Sequence, residues 1–552
     1  MQQKRSDDLA TTAQHLRGSE APALRLVPAL TVAAHPDPER IGERLLLEML
    51  ATSGSAVALS RNAPEFSRPG SQVARPLGDL FLSRTPIEFG PGTRGRLRLR
   101  VPEDGTPVRV ETEPLQGTWE FTPEQLSVGV PLVLAERVVL LLHLAQVPET
   151  ARVDTLGMVG HSMSLRQVRE DILRVADLNV PVLLRGETGT GKELMAQAIH
   201  QHSARREGPF VSINLSAISK ELAASELFGA QRGAFTGAVR DRAGLFRAAH
   251  GGTLFLDEVG EASHEVQVAL LRVLETGEVY PVGGNAAVSV DVRLITATDA
   301  NLEERIQREL FRAPLLHRLA GFELRLPPLR ERREDIGALF VHFARQELEA
   351  TGEPHHLRQK DPRADPWLPA SLAVRLLRYS WPGNIRQLRN VTRQLVIGSR
   401  GLSQLRLDAR LEQELDSAVI PLPGRPQQVR PPREPQEPEL PAPELEDTAE
   451  PDEALLPRRK PADVGERELL QALRDSAWDL KATAERLGIS RASVYLLIDK
   501  SSLLRTAGAL SAEEITRCFH ECQGNVDKMV QRLEVSRRAL QRRLREMGLS
   551  SS

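Results

Sequence analysis

The chain has 552 residues, 41% hydrophobic and 4% aromatic, with 72 basic and 74 acidic side chains. At roughly 100–200 residues per domain this predicts three or four domains, with cores built from Leu, Val, Ile and Ala rather than from rings. A formal net charge of −2 excludes a uniformly basic or acidic molecule, but not a basic patch confined to one domain.

Residues 1–25 are polar and mixed in charge, without the apolar run of a signal peptide, and are read as a disordered tail. The longest mainly apolar run, Val138 to Ala145, is far short of the ~20 residues needed to cross a bilayer. A cytoplasmic protein with no membrane partner is expected. Residues 26–148 carry short β-like runs, such as Arg96 to Val101, Val108 to Thr112 and Val138 to Leu142. Turns at Gly90-Pro91-Gly92 and Asp104-Gly105 separate them, which predicts a small β-rich domain, a β-sandwich.

From 155 to 328 strand and helix patterns alternate, the signature of a parallel α/β sheet. From 329 to 415 the pattern is helical, as for an appended lid. Residues 416–464 are read as an extended linker, because 12 of the 38 prolines lie between Pro421 and Pro461 among many Glu and Arg. An internal repeat follows, 465–506 and 511–549, each copy reading as helix-turn-helix. Leu473 matches Phe519, Leu487 matches Leu533, Ile489 matches Val535, and Ser490-Arg491 matches Ser536-Arg537, all at an offset of 46. The only two cysteines, Cys518 and Cys522, fall in the second copy. Two cysteines make no disulfide framework and fit a reducing compartment.

The strongest chemical signal is Gly186-Glu187-Thr188-Gly189-Thr190-Gly191-Lys192, between the apolar run Val182-Leu-Leu and a helical pattern from Glu193. Glycines there let backbone N–H groups wrap a phosphate chain, the helix N-terminus adds positive dipole, and Lys192 reaches the β and γ phosphates. Glu193 stands where a Ser or Thr usually contacts Mg²⁺. A second apolar strand ends in two carboxylates, Thr253-Leu-Phe-Leu-Asp257-Glu258. In a parallel sheet both emerge beside the phosphate loop. Asp257 is placed to hold Mg²⁺ through water, and Glu258 to polarise the attacking water. ATP and Mg²⁺ are the expected cofactors.

From about Leu156 to Asn390 these motifs resemble the central AAA+ domain of sigma-54-dependent activators, the bacterial enhancer-binding proteins. The most specific match is Gly233-Ala234-Phe235-Thr236-Gly237-Ala238, in Glu226-Leu-Phe-Gly…Arg232. The resemblance implies that this loop contacts sigma-54 and transmits the hydrolysis stroke. It also turns Glu193 into supporting evidence. Asn214 is similar to a switch asparagine that pairs with the catalytic glutamate. Arg312 and Arg318 resemble arginine fingers reaching a neighbouring subunit's γ-phosphate, and Arg386 resembles a nucleotide-sensing lid arginine. The family usually has Asn or His after the sensor threonine, whereas this chain has Thr298-Asp299.

Both C-terminal copies resemble the Fis-type helix-turn-helix. The second is the better DNA reader, with Ser536 as a helix cap and Arg537, Arg538, Gln541, Arg542, Arg543 and Arg545 for bases and phosphates. The first copy, apolar where the second is basic, is read as a dimerisation or weak DNA module. The N-terminal segment resembles a forkhead-associated domain, with Ser60-Arg61 and Ser83-Arg84 as phosphate-reading loops.

These resemblances imply an ATPase, hexameric when active, that binds upstream DNA and opens promoters held by sigma-54 RNA polymerase. A phosphorylated protein or Ser/Thr kinase would be its regulatory partner. The alternative is a DNA-binding regulator or phosphoprotein adaptor with a sensing-only or vestigial ATPase.

Overall fold

The computed structural model describes residues 26–111, 113–147, 154–234, 240–358, 361–424, 426–429 and, with interruptions, 465–544. The chain forms two compact units, one ending at Arg433 and the other beginning at Glu434.

Twelve strands open the first unit: β1 (Leu26–Ala34), β2 (Arg44–Leu46), β3 (Val57–Leu59), β4 (Glu65–Ser67), β5 (Ala74–Pro76), β6 (Ile87–Pro91), β7 (Leu97–Val101), β8 (Val108–Val110), β9 (Glu113–Leu115), β10 (Gly117–Phe121), β11 (Val130–Leu134) and β12 (Val138–Gln146). They make two antiparallel sheets, β5-β4-β2-β1-β12-β11-β8-β9 and β10-β7-β6-β3. Leu132, Val138, Leu140 and Leu142 of the first sheet share a core with Ile87, Phe89, Leu99 and Phe121 of the second.

The residues between them on β11 and β12 do not face water. Val133, Val139 and Leu141 join a second core, with the lid. Side chains alternate across a strand, so a sheet covered on both faces needs apolar residues at successive positions. That is why Val138 to Leu142 reads as an unbroken apolar run.

The next sheet has β13 (Val182–Arg185), β14 (Phe210–Asn214), β17 (Thr253–Asp257), β20 (Arg293–Thr298) and β21 (Phe322–Arg325), in the order β14-β17-β20-β13-β21. Every pairing in it is parallel. Leu254 and Leu256 fill the core on one face, and Phe255 and Ile295 fill the core on the other. Two short hairpins stand apart from it, β15 (Gly229–Ala230) with β16 (Arg242–Ala243), and β18 (Glu278–Val279) with β19 (Val288–Ser289).

Four helices form the lid: Ile336–Thr351, Ala370–Arg378, Asn384–Gly398 and Ala409–Ser417. The segment beyond them departs from the expectation of an extended linker. Ile420 donates its N–H to Arg378 O (2.8 Å), and Leu422 packs on the N-terminal core. β22 (Gln427–Val429) then adds to β10 as an edge strand. A single leucine and an open sheet edge suffice to dock a segment whose average composition argues against folding. Residues 430–464 lie outside the described residues.

In the second unit, helices Glu466–Asp475, Leu480–Leu487, Ala512–Glu521 and Val526–Leu533 surround one core drawn from both repeat copies. Leu469, Leu473, Leu487 and Val494 meet Ile515, Met529, Leu540 and Leu544 there, with Cys518 and Cys522 buried among them. The residues expected to read DNA, Ser536, Arg537, Arg538, Gln541, Arg542, Arg543 and Arg545, lie outside the described residues. Among the described residues no helix is long and apolar enough to cross a membrane.

Gly337, in the first turn of the lid's first helix, shows how closely lid and N-terminal domain fit. A Cβ there would lie 2.6 Å from Ala33 O and 3.0 Å from Ile41 Cγ2. Gly337→Ala is therefore expected to destabilise the first unit by about 1–3 kcal/mol, read as a lower midpoint in thermal or urea unfolding. An unchanged midpoint would mean that the lid does not rest on Ala33 at this point.

Candidate functional site

β13 leads directly into the phosphate-loop sequence, and the helix Lys192–Gln201 leaves it. Two of its glycines, Gly189 (φ 79°) and Gly191 (φ 102°), occupy the left-handed region, which residues with a Cβ avoid. No described hydrogen bond engages the N–H of Thr188, Gly189 or Gly191. These donors face the start of a helix, the arrangement that suits a phosphate. Lys192 is 7% exposed. Its Nζ donates to Gly186 O at 2.8 Å and stands 3.8 Å from Glu258 Oε1. Glu193 is exposed in the first helical turn.

The parallel register sets Asn214 opposite Asp257, at the ends of β14 and β17. Asn214 Nδ2 donates to Asp257 Oδ2 at 3.0 Å. This corrects the expected partner, Glu258. The reason lies in the backbone: Glu258 takes a left-handed conformation (φ 55°, ψ 46°), which turns it off the strand line while Asp257 stays in register. A positive φ at a residue with a long side chain is strained.

Glu258 thereby points towards Lys192 and Asp299. Burial pushes its carboxyl above the usual range, and the charges of Asp299 and Asp257 add to this against the pull of Lys192. Asp299 is held below its usual value. Burial works against that, but the Thr188 hydroxyl (2.6 Å), a hydrogen bond shared with Glu258 and the Lys192 charge outweigh it. Its backbone N–H also donates to Glu258 Oε2 at 3.3 Å. The acidic sensor position thus bonds the phosphate loop on one side and the second carboxylate on the other.

Sequence reasoning missed the residues that close the lid over this loop. Gly189 O accepts the N–H groups of Ile385 (3.0 Å) and Arg386 (3.3 Å). Asn384, fully buried and itself at φ 51°, donates to Glu187 Oε2 and Thr188 O, and accepts from the N–H of Leu329. Arg330 pairs with both carboxylate oxygens of Glu187, at 2.8 and 2.6 Å. That pairing, more than the Asn384 bond, holds Glu187 below the usual carboxylate range. Arg332 is almost fully buried and reaches Thr190 O at 3.3 Å. A signal existed in the dense charge of Leu329-Arg-Glu-Arg-Arg-Glu-Asp335, but its partners are set by tertiary structure. The Arg386 side chain is exposed.

Arg312 caps the helix Ala313–Leu319, and its N–H is held by Gln267 Oε1 at 2.9 Å. Arg318 lies exposed, 3.7 Å from Glu275. Among the described contacts, neither touches Lys192, Asp257 or Glu258 of its own chain. The loop carrying Gly233 and Ala234 springs from the β15/β16 hairpin. Arg232 N–H is held by Asp241 (2.8 Å), and Gln231 N–H by Val282 O (3.0 Å). Phe235, Thr236, Gly237 and Ala238 lie outside the described residues.

In the N-terminal domain, Arg61 N–H donates to Ser83 O (3.1 Å), which brings Ser60-Arg61 beside Ser83-Arg84. Thr106, from a third loop, accepts the Ser83 N–H at 2.8 Å and was not singled out in the sequence.

Family comparison agrees with this geometry. Residues 158–325 match the model of the sigma-54 interaction domain, 330–418 that of an AAA+ ATPase lid domain, and 461–500 that of the bacterial regulatory protein Fis family. The last of these falls on the first repeat copy. The DNA-binding transcriptional regulator NtrC of Azospirillum brasilense is 37% identical over 376 residues, 65% of this chain and 74% of that protein. The chain belongs to the NtrC family of sigma-54 activators. NtrC of Klebsiella pneumoniae is 42% identical over 308 residues, 55% of this chain and 63% of that protein. The chain thus spans less than two thirds of that regulator. Crystalline NtrX from Brucella abortus in complex with ATP is 30% identical, over 71% of this chain and 69% of that one, with a TM-score of 0.41.

Gly189 is the glycine that lid closure cannot spare, since a Cβ there would stand 2.4 Å from Gly383 O. Gly189→Ala is expected to hold the lid open and weaken binding of a fluorescent ATP analogue by about tenfold or more, with the melting midpoint of the first unit kept. Unchanged affinity would show that closure does not support the nucleotide.

Proposed function

We propose that the chain is an ATP-hydrolysing activator that binds upstream DNA and remodels sigma-54 RNA polymerase to open promoters. The observation that carries this reading is the convergence of Lys192, Asp257 and Glu258 at the edge of a parallel sheet, with the β15/β16 loop rooted in the same subdomain.

ATP, when bound, supplies the phosphoanhydride whose cleavage drives the motion. The phosphate-loop N–H groups and Lys192 hold and neutralise the phosphates. Asp257 would hold Mg²⁺, which would neutralise charge on the phosphates. Glu258 takes the proton of the attacking water, and a raised carboxyl is the stronger base for that task. Arg312 has no side-chain partner among the described residues, and Arg318 has only a long, exposed one. Both are thus open to serve the γ-phosphate of an adjoining subunit, the reading that calls for a hexamer. The hydrolysis stroke passes to sigma-54 through Gly233–Ala238, where Phe235 offers an apolar group and Thr236 a hydroxyl.

In the C-terminal unit, the basic residues from Arg537 to Arg545 bind DNA, and the first copy packs against the second through the shared core. The two packed antiparallel sheets and the joined loops at Ser60-Arg61 and Ser83-Arg84 support a forkhead-associated-like sandwich. It would read a phosphorylated protein.

The test is ATP hydrolysis by the full chain across pH. Wild type should hydrolyse ATP and lose activity as pH falls through the raised Glu258 value. Asp299→Asn removes a charge that raises Glu258, so its acid limb should move to lower pH. Glu258→Gln should lower turnover by about 10²–10⁴-fold. Absence of hydrolysis in wild type, or an Asp299→Asn limb moved upward, would count against these roles.

A further inference from the structure

The first unit contains an interface that the proposed reaction does not use. The outer face of the N-terminal domain's larger sheet is fused to the lid. Ala33, Ala34, Val133, Val139 and Leu141 share one core with Ile336, Phe340 and the other lid helices. Two buried guanidinium groups cross the junction. Arg333, at the entry to the lid, donates to Val128 O (2.7 Å) and Gly129 O (3.2 Å) of the N-terminal domain, and to Leu377 O (2.7 Å) of the lid. Arg137, between β11 and β12, donates to Pro362 O (3.1 Å) and Ala364 O (2.8 Å) of the lid. On its own side it pairs with buried Asp79 (3.2 Å) and lies over the Phe81 ring (4.2 Å). Those two residues belong to the loop that carries Ser83-Arg84. The docked segment from Ile420 to β22 ties the far end of the lid to the same domain, where Gln125 Nε2 holds Gly424 O at 3.1 Å.

The grip reaches the nucleotide site along a short stretch of chain. Arg330 and Arg332 bond the phosphate loop, Arg333 bonds the N-terminal domain, and Asp335 accepts the N–H groups of His161 and Ser162 at 2.6 and 2.9 Å. The two sets of contacts therefore share one short segment of two consecutive 3-10 turns. The lid also bonds Gly189 of the phosphate loop directly, so lid movement away from the loop breaks those bonds and must carry or break the N-terminal interface.

We propose that the N-terminal domain is a clamp on the lid that sets the rate of nucleotide exchange, with Arg333 and Arg137 as the positioning residues that transmit its grip. This rests on the reading of the Lys192 site as a nucleotide site. A ligand at the Ser83-Arg84 loop would act on Asp79 and Phe81, hence on Arg137 and the lid. The domain thus governs exchange within a subunit, rather than the Arg312 and Arg318 surface between subunits.

The test uses the full chain and release of a fluorescent ADP analogue, mant-ADP, in stopped flow. Arg378 of the lid and Glu111 of the N-terminal domain form a half-buried pair at 3.0 Å across the same junction. Arg378→Glu and Glu111→Arg should each speed release by roughly fivefold or more, and the double swap should return it towards wild type. Arg333→Met should speed release at least as much, and if that variant does not fold the swap pair still decides. Release at the wild-type rate in the single variants, or acceleration that the double swap fails to reverse, would overturn the clamp. Failure of wild type to bind mant-ADP would overturn the nucleotide reading itself, and the clamp with it.

Discussion

Two N–H groups at the start of the helix Asn384–Gly398 hold the carbonyl of Gly189, and much of the molecule is arranged around that contact. It requires glycine, because any Cβ would strike Gly383 O. It requires Asn384 to take a left-handed conformation, so that its amide can span Leu329, Glu187 and Thr188 at once. A buried amide with its bonds satisfied at both ends is costly to break, since opening leaves polar groups unpaired. Lid opening would break this set of bonds together.

The N-terminal domain enters this event through hydrophobic packing. A free-standing antiparallel domain keeps a polar face towards water. Here that face is apolar at Val133, Val139 and Leu141, and the lid covers it. Burying these side chains is worth about 1.5–3 kcal/mol each by transfer, so the two parts hold together without any bound molecule. The polar contacts at the edge, Arg333 and Arg137 above all, set where they hold.

The α/β subdomain was legible because its chemistry is local. Seven consecutive residues make the phosphate loop, and one strand delivers Asp257 and Glu258 together. The strands of the N-terminal domain were legible from short β-like runs and turns, but the apolar run at Val138 to Leu142 was read only as a strand, and its second covered face came from the structure. Asn214 was assigned the wrong partner because the left-handed turn at Glu258 is a backbone property that leaves no mark on residue type. Arg330, Arg333 and Asn384 escaped notice because each finds its partner far along the chain: Arg330 lies 143 residues from Glu187, and Asn384 lies 197 from it. The docking of β22 was masked by the prolines around it, since composition averages over a segment in which one leucine and three edge residues decide.

In the proposed function, hydrolysis at Lys192 and Glu258 drives the loop at Phe235–Thr236 against sigma-54. The most direct test is open-complex formation by the purified full chain with sigma-54 RNA polymerase on a pre-bound promoter, with ATP, followed by reactivity of unpaired thymines. Opening should need ATP and be abolished by Glu258→Gln, and by Thr236→Ala even where Thr236→Ala still hydrolyses ATP. Opening that survives both substitutions, or ATP hydrolysis that never produces opening, would contradict it.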